Sequence, residues 1–390
     1  MTSNNPRTIG MLIDTYLPII GGAEIHVLEL SRALAREGYQ VKICTAVPDA
    51  SEQTHSEFEV TRIPSLSGGH WRAFLSIIKD LPNLAGFIRQ VDVIHCHYSF
   101  LMAMLGTIIG KITRKPTLVT LHGLGTLDSS VNKSILRKIY RFVSLKLADK
   151  VIATSDEMKA VALRFTSENK IVVIPNGVNT SVFTPAVRPQ NDSPVVLTMR
   201  RLARKNGVQY LVEAAPKVVA EMPDVQFWVA GEGKLESYIH QRVEALKLQD
   251  NFRFIGIVPH HKTQEYYQAA DIVVFPSSAE STSLACLEAM ACEKAIIASN
   301  LSAYQDMLGK DNQRGVLVPL FERVDSDYDA PLSLPQARID AFSEAILSLI
   351  RDPELGDQMG QRARLFVVDH YDWQKIAKDT AAVYSAGRDK

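Results

Sequence analysis

The stretch DIVVFPSSAESTSLACLEAMA, residues 271–291, changes character twice within twenty-one positions. The apolar run at 272–275 reads as a strand covered on both faces, Pro276 and the serines after it break the run, and an apolar helix follows. Parallel strands need such crossovers, so a buried strand that turns into a helix is the building unit of a parallel α/β sheet. The same stretch holds two carboxylates eight positions apart, Glu280 in the turn and Glu288 inside the apolar helix.

Outward from it, the unit recurs along the chain. TIGMLID (8–14) leads into a helix at 23–38 whose apolar residues return at three- and four-residue spacing and which stops at Gly38. QVKICTA (40–46), VDVIHCH (91–97), PTLVTLHG (116–123), KVIATS (150–155) and KIVVIPNG (170–177) continue the series. FTPAVRPQNDSP (183–194) has no apolar period and carries linker chemistry. The pattern then restarts with VVLTMRR (195–201), VQFWVAG (225–231), FRFIG (252–256), DIVVFPS (271–277), AIIAS (295–299) and GVLVP (315–319), with helices expected at 207–221, 234–247, 262–270 and 283–291. Two doubly wound parallel-sheet α/β domains are expected, 1–185 and 186–371. Ligands of such sheets bind beyond the carboxyl ends of the strands, so the turns at 18–22, 121–125, 200–207, 231–233 and 277–282 are the candidates, around a cleft between two domains.

At 390 residues the chain suits two such cores. Its 43 basic and 43 acidic residues cancel, but unevenly. Up to Pro185 there are 20 basic and 15 acidic residues; beyond it, 23 and 28. That balance excludes whole-surface nucleic-acid binding and leaves the first half able to meet an anionic surface. The four cysteines lie in apolar contexts without a C-x-x-C pair, which suits reduced thiols in a cytosolic protein. HCH at 95–97 invites a metal, but alternating strand residues point to opposite faces and no second ligand pair follows, so none is expected. The start lacks a signal-peptide pattern, and SFLMAMLGTIIGKI (99–112) is too short to span a bilayer and reads as a buried helix.

The turns carry distinct chemistry. In LPIIGGAE, Gly21 and Gly22 let the backbone pass close to a ligand at a helix start, although a plain tight turn uses glycines equally well and no dinucleotide fingerprint is present. His122 in TLHGLG stands at a strand end beside glycine. MRRLARKNG places Arg200, Arg201, Arg204 and Lys205 where guanidinium and ammonium groups would suit a diphosphate; a solvated charge run is the plainer alternative. Gly231 opens another strand-end turn. Thr282, Ser283 and Leu284 would begin a helix whose unpaired N–H groups favour phosphate oxygens. Ionised carboxylates only accept hydrogen bonds, so Glu280 and Glu288 suit a polyol with several O–H donors.

Together GGAE, TLHG, IPNGV, RRLARKNG, VAGEG, FIGIV, AADIVVFPS, the E-x7-E at Glu280 and Glu288, and HYDWQKIAKDTAAVY resemble the retaining glycosyltransferases of family 4, in order and nearly end to end. The resemblance implies the GT-B fold, two Rossmann-like domains facing a central cleft, with a last helix at 372–390 crossing back onto the first. It implies transfer of a hexose from a nucleotide-diphosphate sugar, a UDP-sugar first and GDP-mannose second, to a lipid-linked, glycan or small-molecule hydroxyl with retention. The donor would lie on the second domain and the acceptor mainly on the first. By match of motif, Gly22 would offer its backbone to the distal phosphate and Arg201, in the place of the arginine of the usual GRL, would bind the diphosphate. Glu280 would hold the sugar hydroxyls, Glu288 the ribose, and His122 would sit by the reacting carbon. No cofactor or metal is implied, because positive side chains and the helix start face the leaving diphosphate. The departing phosphate would help deprotonate the acceptor on the same face. The sequence departs from the pattern: the usual lysine is Asn206, which moves its role to Lys205, and the glycine after the first glutamate is Ser281.

NKSILRKIYRFVSLKLADK (132–150) sets Lys133, Arg137 and Arg141 at helical spacing beside Ile135, Ile139 and Val143. A basic amphipathic helix there fits docking on anionic lipid, hence a cytoplasmic protein peripheral on the inner face of the membrane; an ordinary surface helix fits the same pattern. Rival readings are a sugar-nucleotide epimerase of the same fold and a scaffold that binds nucleotide sugars without turnover.

Overall fold

The computed structural model describes residues 8–19, 21–48, 57–64, 73–98, 100–123, 135–186, 192–321 and 330–386. The chain divides into two compact units, Met1–Gly177 with Trp373–Lys390, and Val178–Asp372.

The first unit contains strands β1 (Thr8–Ile13), β2 (Gln40–Thr45), β3 (Glu59–Arg62), β4 (Val93–His97), β5 (Thr117–Leu121), β6 (Lys150–Ala153) and β7 (Ile171–Val173). Its first helices are α1 (Gly22–Arg36), α2 (Ala73–Arg89), α3 (Leu101–Thr113), α4 (Ile135–Leu147) and α5 (Asp156–Ala162). The sheet is parallel in the order β3-β2-β1-β4-β5-β6-β7, with β1 paired to both β2 and β4. Every residue of β4 and β5 is buried, which is why these strands read as unbroken apolar runs rather than as alternation. β3 is a short, half-exposed edge whose sequence EVTR lacks the apolar run that marks the other strands.

The second unit contains β8 (Val195–Met199), β9 (Gln226–Ala230), β10 (Phe252–Gly256), β11 (Ile272–Phe275), β12 (Ala295–Ser299) and β13 (Val316–Val318). Its helices are α6 (Val208–Glu221), α7 (Glu236–Ala245), α8 (Thr263–Ala269), α9 (Leu284–Ala291), α10 (Ser302–Leu308), α11 (Gln336–Arg351) and α12 (Pro353–His370). The order is β10-β9-β8-β11-β12-β13, again parallel. Alternate strand residues feed two cores. Val196, Val274 and Ile297 pack with α6 and α11, while Leu197, Val273 and Ile296 pack with α9 and α12.

The division falls at Val178, earlier than the sequence break at 183–194. Val178 N–H donates to the Tyr371 carbonyl at 2.8 Å, Thr180 bonds to Asp372 at 3.4 Å through its N–H, and Phe183 packs with Tyr267. This segment therefore belongs to the core of the second unit. The last helix, α13 (Trp373–Ala386), lies in the first unit, where Tyr384 is buried and bonded to His95 at 2.8 Å.

Candidate active site

Each sheet reverses its winding between its first and fourth strands in chain order, and ligands of such sheets sit at that switch point. In the second unit the switch lies between the ends of β8 and β11. The turn after β8 holds Arg200 to Gly207; the turn after β11 holds Pro276 to Glu280. Ser278 N–H donates to the Lys205 carbonyl at 2.8 Å and fastens the two turns. Gly207 has φ +74°, and a Cβ there would fall 1.8 Å from the Pro276 carbonyl oxygen.

Arg200 is the cation that meets Glu280. Its Nη2 lies 2.5 Å from Glu280 Oε2 and 3.3 Å from Asn206 Oδ1; its Nη1 donates to Tyr304 OH at 3.0 Å and Ser283 Oγ at 3.4 Å. The guanidinium carbon is 5.7 Å from the Phe275 ring centre. Burial alone would raise the pKa of Glu280, but the charges of Arg200 and Lys205, the Arg200 hydrogen bond and the Ser281 N–H outweigh it and hold the carboxyl below its usual range. The acid stays ionised in a nearly dry place. Burial also lowers the pKa of Lys205, with Glu280 pulling the other way and Arg200 and Arg201 adding to the fall. Arg201 is exposed.

Glu288 is buried on α9, and its reason is visible. Tyr267 OH donates to Oε2 at 3.1 Å, and His260 Nε2 lies 2.9 Å from Oε1. The helix begins at Leu284 rather than Thr282, because Ser283 is its N-cap and its hydroxyl accepts from Cys286 N–H at 3.4 Å. Thr282 is buried before it, and the Leu284 and Ala285 N–H groups form the helix start. Gly231 has φ +128°; a Cβ there would meet the Arg200 carbonyl oxygen at 2.1 Å, so only glycine lets the β9 turn pass behind Arg200.

In the first unit, Gly21 is the extended N-cap of α1 and Gly22 its exposed first residue. Four histidines gather nearby, from α1 and the ends of β4 and β5. The face argument made for HCH is corrected here. His95 and His97, two apart on β4, share one face with ring centres 4.3 Å apart. His97 Nδ1 lies 2.9 Å from His122 Nε2, His97 Nε2 lies 3.3 Å from Met11 Sδ, and His26 Nδ1 lies 2.9 Å from Asn176 Oδ1. Burial pushes all four imidazoles down, His26 to about 4, His95 to about 3, and His97 and His122 well below their usual value. His26, His97 and His122 each offer a nitrogen within 4.8 Å of the others, the one set of three among the described residues able to hold a metal ion. Asp14, at the end of β1, has a buried Oδ2 without a partner, and burial raises its pKa to about 7.

The sequence-expected residues thus fall into two places. Arg201, Lys205, Gly231, Glu280, Thr282, Ser283, Leu284 and Glu288 gather at strand ends of the second unit; Gly21, Gly22 and His122 lie at those of the first. Nothing in their spacing marks Tyr267, His260 and Tyr304 in the sequence. Arg200 stands in the basic run without a role of its own there, and the face argument that excludes His97 is reversed by i, i+2 geometry.

Two family descriptions match the chain: Glycosyltransferase Family 4 over residues 20–182 and Glycosyl transferases group 1 over 183–366. An uncharacterised glycosyltransferase of Methanocaldococcus jannaschii is 26% identical, the match covering 96% of this chain and 97% of that one. A subunit of the phosphatidylinositol N-acetylglucosaminyltransferase of Arabidopsis thaliana is 28% identical over 96% of this chain and 80% of its own. Among solved structures, Anabaena HepE in complex with UDP and glucose superposes with a TM-score of 0.77 at 18% identity, covering 97% of this chain and 100% of that one.

Proposed function

The chain belongs to glycosyltransferase family 4, with the GT-B fold, and from that premise we propose that it is a retaining hexosyltransferase. It takes a hexose from a nucleoside-diphosphate sugar, UDP-sugars before GDP-mannose, and passes it to a hydroxyl acceptor. The observation that carries this reading is the ionised Glu280 carboxylate, fixed by Arg200 beside the start of α9 at the switch point of the second sheet.

Each group has a task there. Arg201 and Lys205, with the N–H groups of Leu284 and Ala285, supply the positive field in which a departing diphosphate is stabilised. The lone pairs left on Glu280 take sugar hydroxyls, and Glu288, held by Tyr267 and His260, takes the ribose. Gly231 keeps the backbone close behind Arg200. In the first unit, Gly22 and the helix start serve phosphate, and His122 serves the reacting sugar. The transfer needs no bound metal, so chelation leaves its rate unchanged; the trio His26, His97 and His122 is where a metal would act if chelation lowers it.

A lipid-linked acceptor is favoured within this reading. The similar Arabidopsis protein is named for phosphatidylinositol, and α4 exposes Ile135, Leu136, Ile139 and Phe142 beside the exposed Arg137, Lys138 and Lys146. The expected basic stripe is revised. Arg141 is buried, its guanidinium 5.8 Å from the Phe165 ring centre, and Lys133 lies outside the described residues. Apolar side chains with flanking cations replace it as the docking face of this reading, and they support an enzyme that works at the inner, anionic face of a membrane. Among the described residues no helix is long and apolar enough to cross one.

A panel of UDP-, GDP- and ADP-sugars scored by thermal shift tests the proposal. A true donor at about 100 times its Kd adds roughly 2.7 kcal/mol of stability. Slow release of nucleoside diphosphate without acceptor separates a transferase from a silent scaffold, and an unchanged sugar separates it from an epimerase. A chain that no nucleotide sugar stabilises is not this enzyme.

A further inference from the structure

Arg200 stands one residue before the arginine of the RRL run, where the GRL pattern has glycine, and it touches Asn206, where the pattern has lysine. Two departures from one motif therefore meet in space. The guanidinium donates through Nη1 and Nη2 to Glu280, Asn206, Tyr304 and Ser283, so its forked face is filled by protein acceptors rather than held open for a ligand. Asn206 is itself fixed: its Nδ2 donates to the Arg201 carbonyl at 2.7 Å, which turns Oδ1 towards Arg200. Glu280 is left unsaturated. One oxygen takes Arg200 and the other takes Ser281 N–H at 3.3 Å, out of about four acceptor sites on an ionised carboxylate.

We propose that Arg200 is a positioning residue that orients Glu280 for the donor sugar, and that Asn206 is its coupled partner, the neutral acceptor that allows a guanidinium at 200. The inference rests on the proposed function and gives it a mechanism particular to this chain. An ammonium at 206 would put a second cation against the guanidinium in dry surroundings, where like charges repel most strongly. A glycine at 200 would leave Glu280 without its shortest hydrogen bond and its nearest charge partner. Either change alone breaks the arrangement. Both together exchange one cation for another and keep the local charge constant.

A double-mutant cycle tests this, using UDP-glucose as the hydrolysed donor and UDP as the sugar-free ligand. Arg200→Gly is expected to lower kcat about 30-fold or more, with UDP affinity held within about threefold, because Glu280 serves the sugar and not the nucleotide. Asn206→Lys is expected to lower kcat about tenfold. The variant carrying both recovers to within about fivefold of the original protein, a non-additivity that contacting residues show and distant ones do not. Additive losses overturn the coupling. A fall in UDP affinity equal to the fall in kcat overturns the positioning role and makes Arg200 a phosphate ligand. If Arg200→Gly does not fold, Arg200→Gln, which keeps a donor but no charge, takes its place in the cycle. The same cycle read in melting temperature needs no donor. If the unchanged protein binds no nucleotide sugar, the proposed function fails, while the melting cycle still decides whether 200 and 206 are coupled.

Discussion

His260 Nε2 lies 2.9 Å from Glu288 Oε1, joining the turn after β10 to the middle of α9 across 28 positions of sequence. With Tyr267 on the other oxygen, it explains how an apolar helix keeps a buried carboxylate. The acid is partnered from two sides, which is the condition for burying one. Glu288→Ala would leave Tyr267 OH buried without its acceptor. The expected cost is about 1–3 kcal/mol by urea denaturation, together with about tenfold weaker binding of nucleoside diphosphate. Retained stability would show that the tyrosine finds another partner.

Glu280 and Arg201 should separate in kinetics. Glu280→Gln keeps the shape but loses the charge held by Arg200, so donor turnover is expected to fall about 100-fold while UDP affinity changes little. Arg201→Ala removes an exposed cation. It should weaken UDP about tenfold, the worth of a charged hydrogen bond, and shift stability by no more than about 0.5 kcal/mol. Calorimetry with UDP, beside a melting curve, reads both.

The pH dependence of stability has two opposed parts. His26 and His95 titrate at about 4 and about 3 when folded, below the ordinary 6.5, so the unfolded chain takes up protons first as pH falls. Their contribution is full above 6.5 and is lost towards 4, at about 1.4 kcal/mol per pH unit for each group. Asp14 runs the other way. Its folded pKa of about 7 against 3.8 makes its contribution full below 3.8 and gone above 7. Asp14→Asn should therefore stabilise the protein at neutral pH relative to acid, and steepen its acid loss between pH 4 and 6.5. Equal slopes for the two proteins would mean that Asp14 is ionised throughout.

Gly231→Ala tests the backbone behind Arg200. The added Cβ would fall 2.1 Å from the Arg200 carbonyl oxygen in a conformation that side chains rarely adopt. A loss of about 2–3 kcal/mol is expected, with turnover falling as Arg200 shifts. An unaffected melting temperature would show a turn more yielding than its geometry.

The exposed face of α4 predicts vesicle binding. Phe142→Glu and Ile139→Glu should each remove most binding to anionic vesicles at low salt without changing the melting temperature, since both side chains are exposed. Binding that persists, or that ignores salt, would count against this face.

How much of this the chain announces varies with distance. The strand at 272–275, its turn and the helix after it are local, and periodicity alone gives them to within a residue or two; the N-cap sits at Ser283, past the expected start, because a hydroxyl reaches Cys286 N–H. The edge strand β3 lacks an apolar run to mark it, and α11 and α12 follow the last strand, so no strand–helix alternation frames them. Spacing with Arg137 places Arg141 outward, yet it is buried on the face that α4 turns inward.

The sequence by itself determined the repeated strand–turn–helix units, the two sheets and the family, because side-chain alternation and helical period are properties of neighbours in the chain. Which cation meets Glu280, which phenol and imidazole hold Glu288, and how three histidines from α1, β4 and the end of β5 come to share one spot were decided only by the tertiary structure. Arg200 and Glu280 are 80 residues apart, and they touch because β8 and β11 lie side by side in the sheet. Strand order is a free-energy choice of the whole core, so no local pattern carries it.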